Sequence, residues 1–237
     1  MNNLVKVFSA TDIGIGRTNN EDDFAIIPHS TYLVADGMGG YTAGEVASSI
    51  MKETAIHELS NKTSINEQDL IEVIKKGNQT IIDKSSEIPQ YAGMGTTVTM
   101  VHINENDGIW ANVGDSRTYL IHNRQIQQLT KDHSFVADLI ENGSISKDDV
   151  KKHPRRNLLT RAVGVDRNIK VDTGKFSFCR GDSLLLCSDG LTAVLDDQSI
   201  LRSVTDNIDG DLATCLINEA LSLGSRDNIT VIAIVNY

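Results

Sequence analysis

Nine stretches of this chain are rich in Val, Ile, Thr and other apolar residues and are separated by Gly, Asn or Asp turns, the pattern of buried strands. They are Val5–Ala10, Phe24–Ile27, Tyr32–Ala35, Thr96–Ile103, Gly108–Val113, Arg117–Ile121, Lys170–Phe178, Ser183–Cys187 and Ile229–Val235. Connections such as Asn104–Asp107 and Asp115–Ser116 are too short for a crossover helix, so the strands they join are expected to be antiparallel hairpins. Helical spacing marks three faces: Ala43, Val46, Ala47, Ile50, Met51, Ala55 and Leu59; Leu70, Val73, Ile74 and Ile81; and Leu212, Ala213, Leu216, Ile217, Ala220 and Leu221. Each face needs a sheet to cover. Antiparallel strands with such helices predict an α+β layered sandwich, and no repeat or linker divides the chain into more than one domain.

Four apolar runs start or stop at an aspartate: Asp36, Asp115, Asp189 and Asp227. Each acid is therefore expected at a strand end or in the adjoining turn. Strand ends gathered on one rim would bring the carboxylates together, where they repel unless a cation intervenes. Oxygen-only ligands favour a hard ion such as Mg²⁺ or Mn²⁺ over zinc. The pattern points to metal-dependent hydrolysis or phosphoryl transfer.

Composition narrows the class further. The 237 residues carry 22 Lys plus Arg against 32 Asp plus Glu, a net charge of −10, which argues against nucleic-acid or anionic-membrane binding. No apolar run is long enough for a membrane helix, and the start MNNLVKVFSATD has no signal-peptide character, so the expected compartment is the cytosol. Cys179, Cys187 and Cys215 form no CxxC pair and read as buried thiols. The N-x-[ST] triplets, as at Asn61 and Asn228, have no glycosylation meaning without secretion. GIGRTN at Gly14–Asn19 lacks the third glycine of a dinucleotide fingerprint, and no GxxxxGK stretch occurs, which excludes NAD and ATP loops. A basic island, with Lys147, Lys151, Lys152, His153, Arg155, Arg156 and Arg161, interrupts the acidic chain. It is either a solvated surface or a substrate-facing flap that attracts phosphorylated partners.

An ordered series of motifs runs from Arg17 to Asn228. Arg17-Thr-Asn-Asn-Glu21-Asp22 comes first, followed by Asp36-Gly37-Met38-Gly39-Gly40 and Gly95-Thr96-Thr97. Asn112-Val113-Gly114-Asp115-Ser116-Arg117 and Leu129-Thr130-Lys131-Asp132-His133-Ser134 follow, then Ser188-Asp189-Gly190 and Arg226-Asp227-Asn228. With these motifs the chain resembles the metal-dependent Ser/Thr protein phosphatases (the PPM, or type 2C, family) in their compact bacterial form. The resemblance implies a four-layer αββα sandwich of two antiparallel β-sheets flanked by helices, spanning 1–237 with a flap subdomain at about 134–164. It also implies an enzyme that hydrolyses phosphoserine and phosphothreonine on proteins by direct attack of a metal-bridging hydroxide, opposing a bacterial Ser/Thr kinase.

By the same resemblance, Asp36 bridges two Mn²⁺ or Mg²⁺ ions and the Gly37 carbonyl completes the second. Asp189 and Asp227 complete the first ion, and Asp115 with Asp189 holds a third, weaker one. Glu21 and Asp22 orient the shell through waters, and Arg17 binds the phosphate. The implied partners are phosphorylated proteins and a cognate kinase, met by a monomer. Eukaryotic relatives carry His where Met38 stands, and Met cannot protonate a leaving group, which leaves a metal-bound water or His153 as candidates. Two other readings are a phosphatase of an anti-sigma-factor antagonist and a catalytically silent regulator that binds phosphoproteins.

Overall fold

The structure is a computed structural model and describes residues 5–39, 43–146, 149–150, 153–208 and 210–237. Its strands are β1 (Val5–Asp12), β2 (Asp22–Ile27), β3 (Thr31–Met38), β4 (Gly95–Thr96), β5 (Val98–Asn104) and β6 (Asp107–Val113). They continue with β7 (Arg117–His122), β8 (Gln125–Gln128), β9 (Asp172–Ser177), β10 (Ser183–Cys187) and β11 (Ile229–Asn236). The helices are α1 (Ala43–Leu59), α2 (Glu67–Glu87), α3 (Phe135–Glu141), α4 (Asp189–Thr192), α5 (Asp197–Asp206) and α6 (Leu212–Ser222).

One sheet has the order β1-β11-β10-β7-β8; the other has β2-β3-β5-β6-β9, with β4 beside β3. All of these neighbours pair antiparallel. Side-chain alternation then builds the layers. Along β11, Ile232 and Ile234 point between the sheets, where they meet Leu184 and Leu186 of β10 and Val101 and Ile103 of β5. Val231, Ala233 and Val235 point the other way, onto Leu212, Leu216 and Ala220 of α6. On the second sheet, Leu33 and Ala35 of β3 pack with Ala47 and Met51 of α1 and Leu70 and Ile74 of α2. Three apolar layers separate four structural ones, so the expected αββα sandwich is the fold. Both faces of β3, β5, β10 and β11 are covered, which is why their sequences are apolar at nearly every position.

Two expectations need correction. Asp115–Ser116 does not close a hairpin: β6 belongs to one sheet and β7 to the other. Gly114 turns the chain with φ +106, a conformation side chains disfavour, and a Cβ there would lie 2.6 Å from Thr97. The cysteines are not all buried: Cys187 is, Cys215 is partly covered and Cys179 is exposed. Among the described residues, no helix is long and apolar enough to cross a membrane. Of the basic island, Lys147, Lys151 and Lys152 lie outside the described residues, as does Gly40.

Candidate metal centre

Strand ends of both sheets meet on one rim around a cavity of about 220 Å³. Arg17, Glu21, Asp36, Gly37, Asp115, Asp189 and Asp227 all line it, together with Met38 and Thr97. Asp22 does not line it. It is the cross-strand partner of Asp36 and lies buried behind it.

Each acid is set by its neighbours' backbone. Asp36 sits inside β3, and Thr97 grips it on both sides. The Asp36 N–H donates to Thr97 Oγ1 (2.9 Å), and the Asp36 carbonyl accepts Thr97 N–H (2.8 Å) and Thr96 Oγ1 (2.9 Å). Gly37 donates to the Glu21 carbonyl (3.0 Å), and a Cβ on it would lie 2.1 Å from the Gly44 carbonyl oxygen of α1. Only glycine fits there. Asp115 follows the Gly114 turn at the point where the chain changes sheets. Asp189 opens α4 directly after β10.

Asp227 precedes β11 and accepts Arg17 Nη2 (2.5 Å) and Asn228 N–H (2.9 Å), while Arg17 Nε donates to the Arg226 carbonyl (3.2 Å). Asn228 ties Glu21 in: its Oδ1 accepts Glu21 N–H (2.8 Å), and its Nδ2 donates to the Ile13 (2.8 Å) and Asn19 (3.0 Å) carbonyls.

The electrostatics follow from burying acids beside acids. Burial pushes Asp36 well above the usual carboxylate range, and Asp22, Asp189, Asp115 and Asp227 push it further. Burial and then Asp189 and Asp132 also raise Asp115 well above that range. Asp22 rises to about 7 and Asp189 to about 6, in each case mainly through burial. Glu21 also rises, again through burial first. Asp22 Oδ2 accepts Ser188 Oγ (2.7 Å), but its Oδ1 is buried with no partner. Crowded anions and oxygen-only donors fit hard divalent cations. Among the described residues, no three Asp, Glu, His or Cys side chains are already closed into a metal cage.

Thr97, Ser188 and Asn228 have roles that the motifs contain but do not state. Met38 lines the cavity and has no proton to give. His153 is not among the lining residues: its ring lies 5.8 Å from the Phe135 ring. Asn157 and Leu159 do form part of the cavity wall. Their segment is pinned where it leaves and returns: Phe135 N–H donates to the Leu158 carbonyl (2.8 Å) and Thr160 N–H to the His133 carbonyl (2.9 Å).

The family model of protein phosphatase 2C matches residues 9–139, more than half the chain. The chain belongs to the protein phosphatase 2C family. It is 39% identical to the serine/threonine phosphatase stp of Listeria monocytogenes over 94% of this chain and 93% of that protein. It is 34% identical to protein phosphatase PhpP of Streptococcus pneumoniae over 93% of each. The crystal structure of Stp1 from Staphylococcus aureus superposes with TM-score 0.91 at 34% identity, covering 99% and 96% of the two chains. The catalytic domain of the phosphatase PstP, solved with two manganese ions, superposes with TM-score 0.89 at 31% identity over 98% and 97%.

Proposed function

We infer that this chain is a divalent-metal-dependent phosphatase of phosphoserine and phosphothreonine proteins. The observation that carries the reading is the rim cavity, where Asp36, Asp115, Asp189 and Asp227 face one space with Arg17 at its edge. Asp36, Asp189, Asp227 and the Gly37 carbonyl would hold two ions, with Asp36 shared between them. Asp115 with Asp189 would hold a third and weaker ion. Mn²⁺ or Mg²⁺ suits this donor set, and when bound it lowers the pKa of water and offsets phosphoryl charge.

The chain's own groups do the rest. Glu21 and Asp22 supply acceptors for ordered waters, and Ser188 fixes the Asp22 carboxyl. Arg17 has its fork oriented by Asp227 and the Arg226 carbonyl, and offers paired N–H donors to the phosphoryl oxygens. Attack on phosphorus is direct, with no phosphoenzyme. The best-buried cysteine supports this: burial pushes the Cys187 thiol up to about 12, far from a nucleophilic thiolate.

The described part of 134–164, which reaches the cavity through Asn157 and Leu159, serves as a flap, and the protein works as a cytoplasmic monomer opposing a Ser/Thr kinase. A silent regulator is disfavoured because no acid of the set is missing. The test is hydrolysis of p-nitrophenyl phosphate and of a phosphothreonine peptide by the purified protein with Mn²⁺. Activity on both is expected. Activity on neither would sink the reading.

A further inference from the structure

We propose that His133 is a positioning residue that sets the Gly114–Asp115 turn against the base of the 134–164 segment, acting as the neutral tautomer protonated on Nε2. The idea rests on Asp115 being a metal ligand. The ring is 2% exposed. Its Nδ1 lies 3.0 Å from the Gly114 amide nitrogen, and that amide can only donate, so Nδ1 is the acceptor and carries no proton. The proton therefore sits on Nε2, which donates to Asp172 Oδ2 at 3.0 Å. Asp172 Oδ1 in turn accepts Arg161 Nη1 at 2.7 Å. The main chain of the same residue repeats the tie: His133 N–H donates to the Gly114 carbonyl (3.0 Å), and its carbonyl accepts Thr160 N–H (2.9 Å).

Gly114 is thus held through both its N–H and its C=O by one residue. Below it, Thr97 leaves no room for even a methyl group, and Thr97 also grips Asp36. The Gly114–Asp115 turn cannot shift without breaking the ring's bond. Asp115 is consequently placed relative to Asp36 and Asp189 by an imidazole that is not among the residues lining the cavity. Through Asp172 and Arg161 the ring, and through Thr160 the main chain of the same residue, is tied to the base of the 134–164 segment.

The ring's two bonds can be separated by substitution. An Asn side chain puts an acceptor near the Nδ1 position, and a Gln side chain puts a donor near Nε2. Mn²⁺ binding, followed by the electron paramagnetic resonance of free Mn²⁺, is measured for wild type, His133→Asn, His133→Gln and Asp115→Asn. Asp115→Asn loses the weakest Mn²⁺. His133→Gln weakens that ion about 10- to 100-fold, with the tighter ions within twofold. His133→Asn stays close to wild type.

Equal losses in the Asn and Gln variants, or an unchanged weakest ion in His133→Gln, would overturn the positioning role while leaving Asp115 as a ligand. An unchanged weakest ion in Asp115→Asn overturns the ligand reading itself, and the proposal with it. Nitrogen-15 spectra of the wild-type imidazole give an answer that needs no variant. A protonated Nδ1 contradicts the proposal, and a protonated Nε2 supports it.

Discussion

At the scale of single residues, the cavity works by holding acids where water alone would not keep them charged. Burial raises both Asp36 and Asp189, and neighbouring acids add to it, Asp22 and Asp189 at Asp36 and Asp227 at Asp189. Asp189→Ala is expected to lower Mn²⁺-dependent turnover at least about a hundredfold, with the thermal midpoint of the metal-free protein unchanged or raised, since a buried charge is removed. Steady-state kinetics and calorimetry on the same preparation check both halves. Thr97→Val tests the support of Asp36. It leaves the Asp36 N–H without its acceptor and costs about 1–3 kcal/mol by urea unfolding. The four rim aspartates were legible because each interrupts an apolar run. Thr97, Ser188 and Asn228 were not, because a hydroxyl or amide that bonds to a residue distant in sequence leaves no local pattern.

At the scale of elements, strands covered on both faces announce themselves and exposed ones do not. Ser183–Cys187 matches its expected bounds, and its five residues are all buried. β8, with the sequence QIQQ, has no apolar run and exists because Asn123 and Arg124, both at positive φ, fold it back onto β7. α5 went unseen because it is short and its apolar face rests on a few residues, among them Ile200 and Val204. The β6–β7 link was misread for a deeper reason: a short connection fixes proximity, not which sheet receives the next strand. That sheet change brings Asp115 to the rim. Gly114→Ala is therefore expected to destabilise by about 2 kcal/mol or more, from backbone strain and the clash with Thr97, measured by urea unfolding. It also displaces Asp115, so the weakest Mn²⁺ is lost with it.

At the scale of the whole molecule, stability and metal binding are linked through protons. Asp22, Asp36, Asp115 and Asp189 have raised folded-state pKa values, so the folded chain keeps protons that the unfolded chain releases. Without metal, these groups leave stability intact below the ordinary value of 3.8 and erode it as pH rises through about 7. Divalent cations bind the deprotonated acids, so Mn²⁺ is expected to raise the melting temperature little at about pH 5 and by several degrees at about pH 8. Calorimetry with Mn²⁺ and with a chelator at the two pH values checks this sign. A larger gain at the lower pH would contradict it. The four-layer architecture makes the linkage possible, because two sheets ending on one rim gather acids from distant parts of the chain.

The central claim is that these rim acids hold the cations that drive phosphate-ester hydrolysis. Its most direct test is phosphate released from a phosphothreonine peptide by wild-type protein and Asp36→Ala, each with Mn²⁺ and with a chelator. The account predicts release by wild type with Mn²⁺ alone, and at least about a hundredfold less from Asp36→Ala. Undiminished release in the chelator, or by Asp36→Ala, would contradict it.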